Sequence, residues 1–115
     1  MNNKFIGAWG KDTCYPPLKD KWTEECPELG QCAVTALLIQ EEYGGDIVFN
    51  KEYNHYWNRL SSLTEVDLTK SQFPGVGKIG IDKIVDRKSF GEDVIQRYKI
   101  LKERISESRS KKSNI

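Results

Sequence analysis

The stretch AVTALLI, residues 33–39, constrains this chain more than any other. Read as a helix over 31–43, Ala33, Val34, Ala36, Leu37, Leu38 and Ile39 cover most of the circumference, so the helix has to be buried on most sides. Gly44-Gly45 closes it, as glycine at a helix C-terminus does. With 115 residues, the chain can build one domain around one modest core. The rest of the sequence must therefore wrap this helix. Along it, Cys32, Ala36, Ile39 and Tyr43 fall on one face.

The wrapping elements are legible in outline. DIVFN, HYWNRL and EVDLT are β-branched and aromatic and are separated by polar loops, which predicts three short strands. A helix followed by an antiparallel meander is a compact α+β unit. FPGVGKIG reads as a loop; its glycine spacing and missing Lys-Ser/Thr ending exclude a phosphate-binding P-loop. A final amphipathic helix is expected over 91–105, with Val94, Ile95, Tyr98, Leu101 and Ile105 on one face. Residues 1–107 are thus expected to form a single α+β domain, and 108–115 a polar, frayed tail. The N-terminal third is rich in Gly, Pro and aromatic residues and reads as a coil-rich cap. Tyr15-Pro16-Pro17 must be extended or turning there, and KDKWTEECPE can hold one helical turn ended by Pro27.

Composition narrows the function classes. Lys and Arg total 18 against 17 Asp and Glu, a net charge of +1, which leaves no electrostatic footprint for nucleic acid. AVTALLI is too short to span a bilayer, and MNNKFIGAWGKD lacks a signal-peptide hydrophobic region, so a cytoplasmic protein without membrane contact is expected. Three cysteines, Cys14, Cys26 and Cys32, are an odd number at irregular spacing and make no secreted disulfide framework. Together with His55 they have the ligand types for zinc. No C-x-x-C or H-x-x-x-H pair accompanies them, however, so neither a metal nor any other cofactor is expected.

The chemistry centres on Cys32. It opens the central helix, where unsatisfied backbone N–H groups stabilise an anion. His55, the one histidine, opens HYWNRL, and Asp67 lies within EVDLT. Period-two alternation puts His55, Trp57 and Arg59 on one side of their strand and Glu65, Asp67 and Thr69 on one side of theirs. If that face receives the central helix, Cys32 can reach His55. A thiolate nucleophile, a histidine that shuttles the proton and a carboxylate that orients the imidazole would then form a triad.

Two resemblances follow. TCYPP, the W…P…GQCAVTAL block, EEYGGDIV, HYWNRL, EVDLTKSQF and RKSF…RYKILKERI resemble the YunG-like family of bacterial proteins over nearly the whole chain, which implies no particular activity. Over about residues 30–69 the order of Cys32, His55-Tyr56-Trp57 and Asp67-Leu68-Thr69 resembles the transglutaminase-like branch of the papain-like superfamily. That second resemblance implies a papain-like core, with the central helix packed on a small antiparallel sheet and a C-terminal helix alongside. It also implies a cysteine hydrolase or acyltransferase acting on an amide, ester or thioester, with a peptide, protein or small-molecule acyl substrate. Papain-like enzymes often draw an oxyanion donor from a glutamine several residues before the cysteine. Here Gln31 is adjacent to Cys32, and Gln72, in SQF, is the other candidate.

Blander readings stand beside these. Cys32 alone reads more often as a small buried residue than as a nucleophile, and Asp67 could equally pair with Arg59 or cap a turn. Asn58 either orients His55 or satisfies strand-edge backbone. Trp9, Trp22 and Trp57 read as core residues in a domain this small, or else Trp22 walls a cleft beside Cys32 together with Tyr15. A non-catalytic binding or regulatory module would use Trp22, Tyr15 and Tyr56 to recognise a peptide or small ligand.

Overall fold

In the computed structural model, which describes residues 4–113, the central helix α1 spans Cys32–Tyr43 and every residue from 33 to 39 is buried. Gly44 ends it with a positive φ of 74° while its N–H bonds the Gln40 carbonyl. Gly45 follows, also with positive φ, and sits so close to the Arg59 carbonyl that a Cβ would meet the oxygen at 2.5 Å. Two glycines are needed here because the chain must reverse at once into the sheet.

That sheet has four antiparallel strands in the order β3-β2-β1-β4: β1 Asp46–Asn50, β2 His55–Arg59, β3 Glu65–Val66 and β4 Lys83–Val85. The long second helix, α2, spans Glu92–Ser113. The whole is an α+β domain with two main helices. One sheet face, with Ile47, Tyr56, Val66 and Val85, packs against α1. α2 covers another side of α1 with Tyr98, Leu101 and Ile105, and the N-terminal segment covers a third with Phe5, Ala8 and Trp9. The Trp9 indole N–H donates to the Thr35 hydroxyl at 2.9 Å, which satisfies the hydroxyl that the helix buries. Arg104 of α2 fixes that segment by donating to the Ala8 carbonyl and to both oxygens of Asp12.

The opposite sheet face carries Val48 and Trp57, and the loop over residues 73–81 covers it with Phe73, Val76, Ile79 and Ile81. His55 pairs with Asn50 in the β1–β2 ladder and lies on this loop-covered side with Trp57. The central helix therefore packs on the face opposite the one expected to receive it, the face of Tyr56 and Asn58 rather than that of His55, Trp57 and Arg59. Asn50 holds the arrangement at the turn: its carbonyl oxygen accepts the Tyr53 N–H at 3.0 Å and its amide donates to the Gly80 carbonyl at 2.9 Å.

Several sequence expectations change in detail. EVDLT is a strand only at Glu65–Val66, because the Asp67 carboxylate accepts from the Thr69 N–H and hydroxyl and turns the chain. β4 is an additional strand, too short to show a period. The N-terminal helical turn falls at Pro16–Lys21 rather than in the later residues, with a 3-10 turn at Lys11–Thr13 before it. α2 continues past Ile105 to Ser113, through most of the stretch expected to fray, and residues 114–115 of that stretch lie outside the described residues.

Leu37 is fully buried between these coverings. Leu37→Ala should lower unfolding free energy by about 3 kcal/mol, read from urea denaturation with an unchanged slope.

Candidate active site

Gly30-Gln31-Cys32 forms the approach to α1. Gly30 adopts φ +71°, and a Cβ there would meet the Cys14 sulfur at 2.5 Å and the Tyr15 nitrogen at 3.0 Å. The Gly30 carbonyl accepts the Tyr15 N–H at 2.9 Å. This close crossing brings the N-terminal segment up against the start of the helix and needs glycine. Gln31 occupies the N-cap position but makes no side-chain cap. Its buried side chain instead accepts from the Thr13 hydroxyl at 2.7 Å and donates to the Gly10 carbonyl at 3.0 Å. Both ends of the amide are committed to the N-terminal segment, which takes Gln31 away from the thiol.

Cys32 is the first residue of α1 and is partly exposed. His55 is fully buried, with its Nε2 2.7 Å from the Asp67 Oδ2. The imidazole stacks on Trp57 at 5.3 Å between centroids and meets the edge of Phe73 at 4.9 Å. Burial pulls the imidazole pKa down, but the Asp67 hydrogen bond and charge and the neighbouring Cys32 sulfur together outweigh it and lift it to about 9. Nδ1, the nitrogen that Asp67 does not use, has no hydrogen-bond partner. Cys32 is thus a neighbour of the imidazole, close enough to raise its pKa. The sequence separation of His55 and Asp67 is bridged by the β2–β3 hairpin, whose register sets Asn58 opposite Val66 and Arg59 opposite Glu65.

Beside Cys32 opens a cavity of about 430 Å³, walled by Tyr15, Tyr56, Gln72, Phe73 and Phe90 among others. Gln72 accepts the Gly30 N–H at 3.2 Å through its carbonyl oxygen, while its buried amide nitrogen has no partner. Burial, with the charge of Cys32 and Tyr15 adding to it, pushes the Tyr56 hydroxyl up, so it stays protonated. Of the other expected wall residues, Tyr15 lines the cavity and Trp22 does not; the Trp22 indole donates to the Pro27 carbonyl at 3.0 Å. Asn58 makes no bond to His55; its amide donates to the Ala36 carbonyl at 2.9 Å and anchors β2 to α1.

The two other thiols differ from Cys32. Cys14 is fully buried, and burial pushes its thiol up against the opposing charge of Arg97. Cys26 is raised by burial and by Glu28. Among the described residues no three His, Cys, Asp or Glu side chains cluster as metal ligands, and no helix is long and apolar enough to cross a membrane. Sequence reasoning missed the contribution of Phe90, Asp93 and Arg97 to the cavity. An Asp and an Arg four residues apart on a helix look like an ordinary surface pair, and nothing in their spacing points to a site.

Residues 1–110 match the family described as YunG protein. A Bacillus subtilis (strain 168) protein, described as uncharacterized protein YunG, is 49% identical over 55 residues. The match spans 46% of this chain and 47% of that relative, about half of each. No solved structure matches.

Because this chain has one histidine, its imidazole titration is directly readable by NMR. A midpoint near 9, against the usual 6.5, is expected. The raised value stabilises the fold fully below pH 6.5, and the gain disappears as pH rises through 9. The difference in unfolding free energy between wild type and His55→Gln should therefore shrink across that window. A midpoint at or below 6.5 would contradict the site's electrostatics.

Proposed function

We propose that this chain, which belongs to the YunG protein family, is a cysteine-dependent hydrolase or acyltransferase acting on an amide, ester or thioester. The observation that carries this reading is the convergence of three features. A partly exposed thiol stands at a helix N-terminus, it borders a cavity, and its neighbouring imidazole has a pKa lifted to about 9 by Asp67 together with the Cys32 sulfur. The order of a helix-borne cysteine, a strand-borne histidine and an aspartate just after the next strand also supports the papain-like, transglutaminase-type reading of the core. What supports the oxyanion role is the free amide of Gln72 together with the N–H groups of the first helical turn.

The chemistry is as follows. The Cys32 thiolate attacks the substrate carbonyl carbon, a C–S bond forms, and negative charge develops on the carbonyl oxygen. Collapse breaks the bond to the leaving group, which takes the proton from His55 Nδ1. Neutral His55 then accepts a proton from water, or from an acceptor amine, alcohol or thiol, as that group attacks the thioacyl carbon. The C–S bond breaks, and thiolate and imidazolium are restored. Asp67 holds Nε2–H throughout, so Nδ1 is the nitrogen that exchanges the proton.

Alkylation by iodoacetamide across pH, read by mass spectrometry at each cysteine, tests the proposal. Cys32 should label selectively below pH 7, and His55→Ala should slow that labelling at least roughly tenfold. Asp67→Asn should slow it less and shift its pH profile. If Cys32 labels no faster than glutathione, the enzyme reading fails and a binding pocket remains.

A further inference from the structure

Arg97 is the guanidinium in the cavity wall, and only 7% of it is exposed. Its Nε donates to the Asp93 carboxylate at 3.2 Å and its Nη1 to the Thr13 carbonyl at 3.2 Å. Nη2 makes no hydrogen bond among the described residues. The Asp93 side chain is 64% exposed, so water screens its half of the pair. A cation this deep, with a solvated counterion and unused donors, has room for a second acceptor. Apart from the exposed Asp93 and the Cys32 sulfur itself, the walls named above are aromatic or neutral, so Arg97 is the charge among them that attracts an anion.

We propose that the Cys32 cavity takes acyl groups that carry a carboxylate at their far end, and that Arg97 is the residue that selects them. The inference rests on the reading of Cys32 as the nucleophile in that cavity. One guanidinium, whose partner Asp93 is screened by water, matches a single negative charge; a phosphate dianion would exceed it. Stapling the N-terminal segment through the Thr13 carbonyl engages Nη1 alone. That structural role leaves unexplained why the guanidinium borders the cavity.

Iodoacetate and iodoacetamide differ in charge and little else, so their relative rates at Cys32 report the charge that the cavity prefers. The iodoacetate-to-iodoacetamide ratio should exceed that of glutathione under the same conditions. Arg97→Gln should lower it by about fivefold, Arg97→Lys should keep most of it, and Asp93→Asn should raise it. Salt at 0.5 M, roughly a 4–5 Å screening length, should compress these differences. Because Asp93 is exposed, Asp93→Asn carries the test even if Arg97→Gln does not fold. A ratio unchanged in the Asp93→Asn and Arg97→Gln proteins overturns the carboxylate subsite while fast iodoacetamide labelling leaves the enzyme reading intact. Slow iodoacetamide labelling with a ratio still set by Arg97 does the reverse.

Discussion

The burial of α1 on all its sides is the constraint on which the rest of this molecule depends. A helix that is apolar from residue 33 to 39 except at Thr35 cannot leave a face to water, and three different parts of the chain close over it. The sheet supplies one covering, α2 a second and the N-terminal segment a third. These coverings come from distant parts of the sequence, so they can meet only at the ends of the helix. At the N-terminal end they leave the cavity that Cys32 borders, with Tyr15 from the first segment, Tyr56 from the sheet and Arg97 from α2. The site is therefore a consequence of how the core is enclosed.

The electrostatics of His55 follow from the same enclosure. Burial between Trp57 and Phe73 would by itself favour the neutral ring. Asp67, together with the Cys32 sulfur, reverses that preference, and Asp67 can take part because its own strand stops one residue earlier. Had EVDLT remained extended, the Asp67 carboxylate would have had no local turn to cap. Here Oδ1 accepts from Thr69 while Oδ2 holds the imidazole at 2.7 Å. The break in the strand thus fixes the orientation of the acid, as a positioned carboxylate requires.

How much was legible in the sequence depends on the range of the interaction. α1, β1 and β2 are dictated by local pattern and lie where that pattern puts them. The triad candidates were legible because a helix-opening cysteine and a hairpin-spaced His55 and Asp67 are short-range features. The covering of each sheet face was not legible. Period two separates His55 and Trp57 from Tyr56 and Asn58, but only the packed structure shows that α1 chose the second pair. Gln31 and Gln72 show the same limit. Both were candidates by residue type, yet long-range bonds to Thr13 and Gly10 occupy the first, and a bond to the Gly30 N–H leaves the second's amide free. Arg97 lies on a helix read only for its apolar face.

The division between the two glutamines explains why the thiol can stand where it does. A helix N-terminus ordinarily takes a side-chain cap, and a cap at Gln31 would occupy the N–H groups that favour an anion at Cys32. By turning Gln31 into the N-terminal segment, the fold leaves that end of α1 uncapped by its own residue and stabilises the segment in the same step. Gly30 makes the turn possible, since any side chain there would strike Cys14. The uncapped helix end, the glycine crossing and the buried glutamine are therefore one device. Each would be a local defect alone, and together they expose a thiol at the positive end of the most buried helix in the molecule.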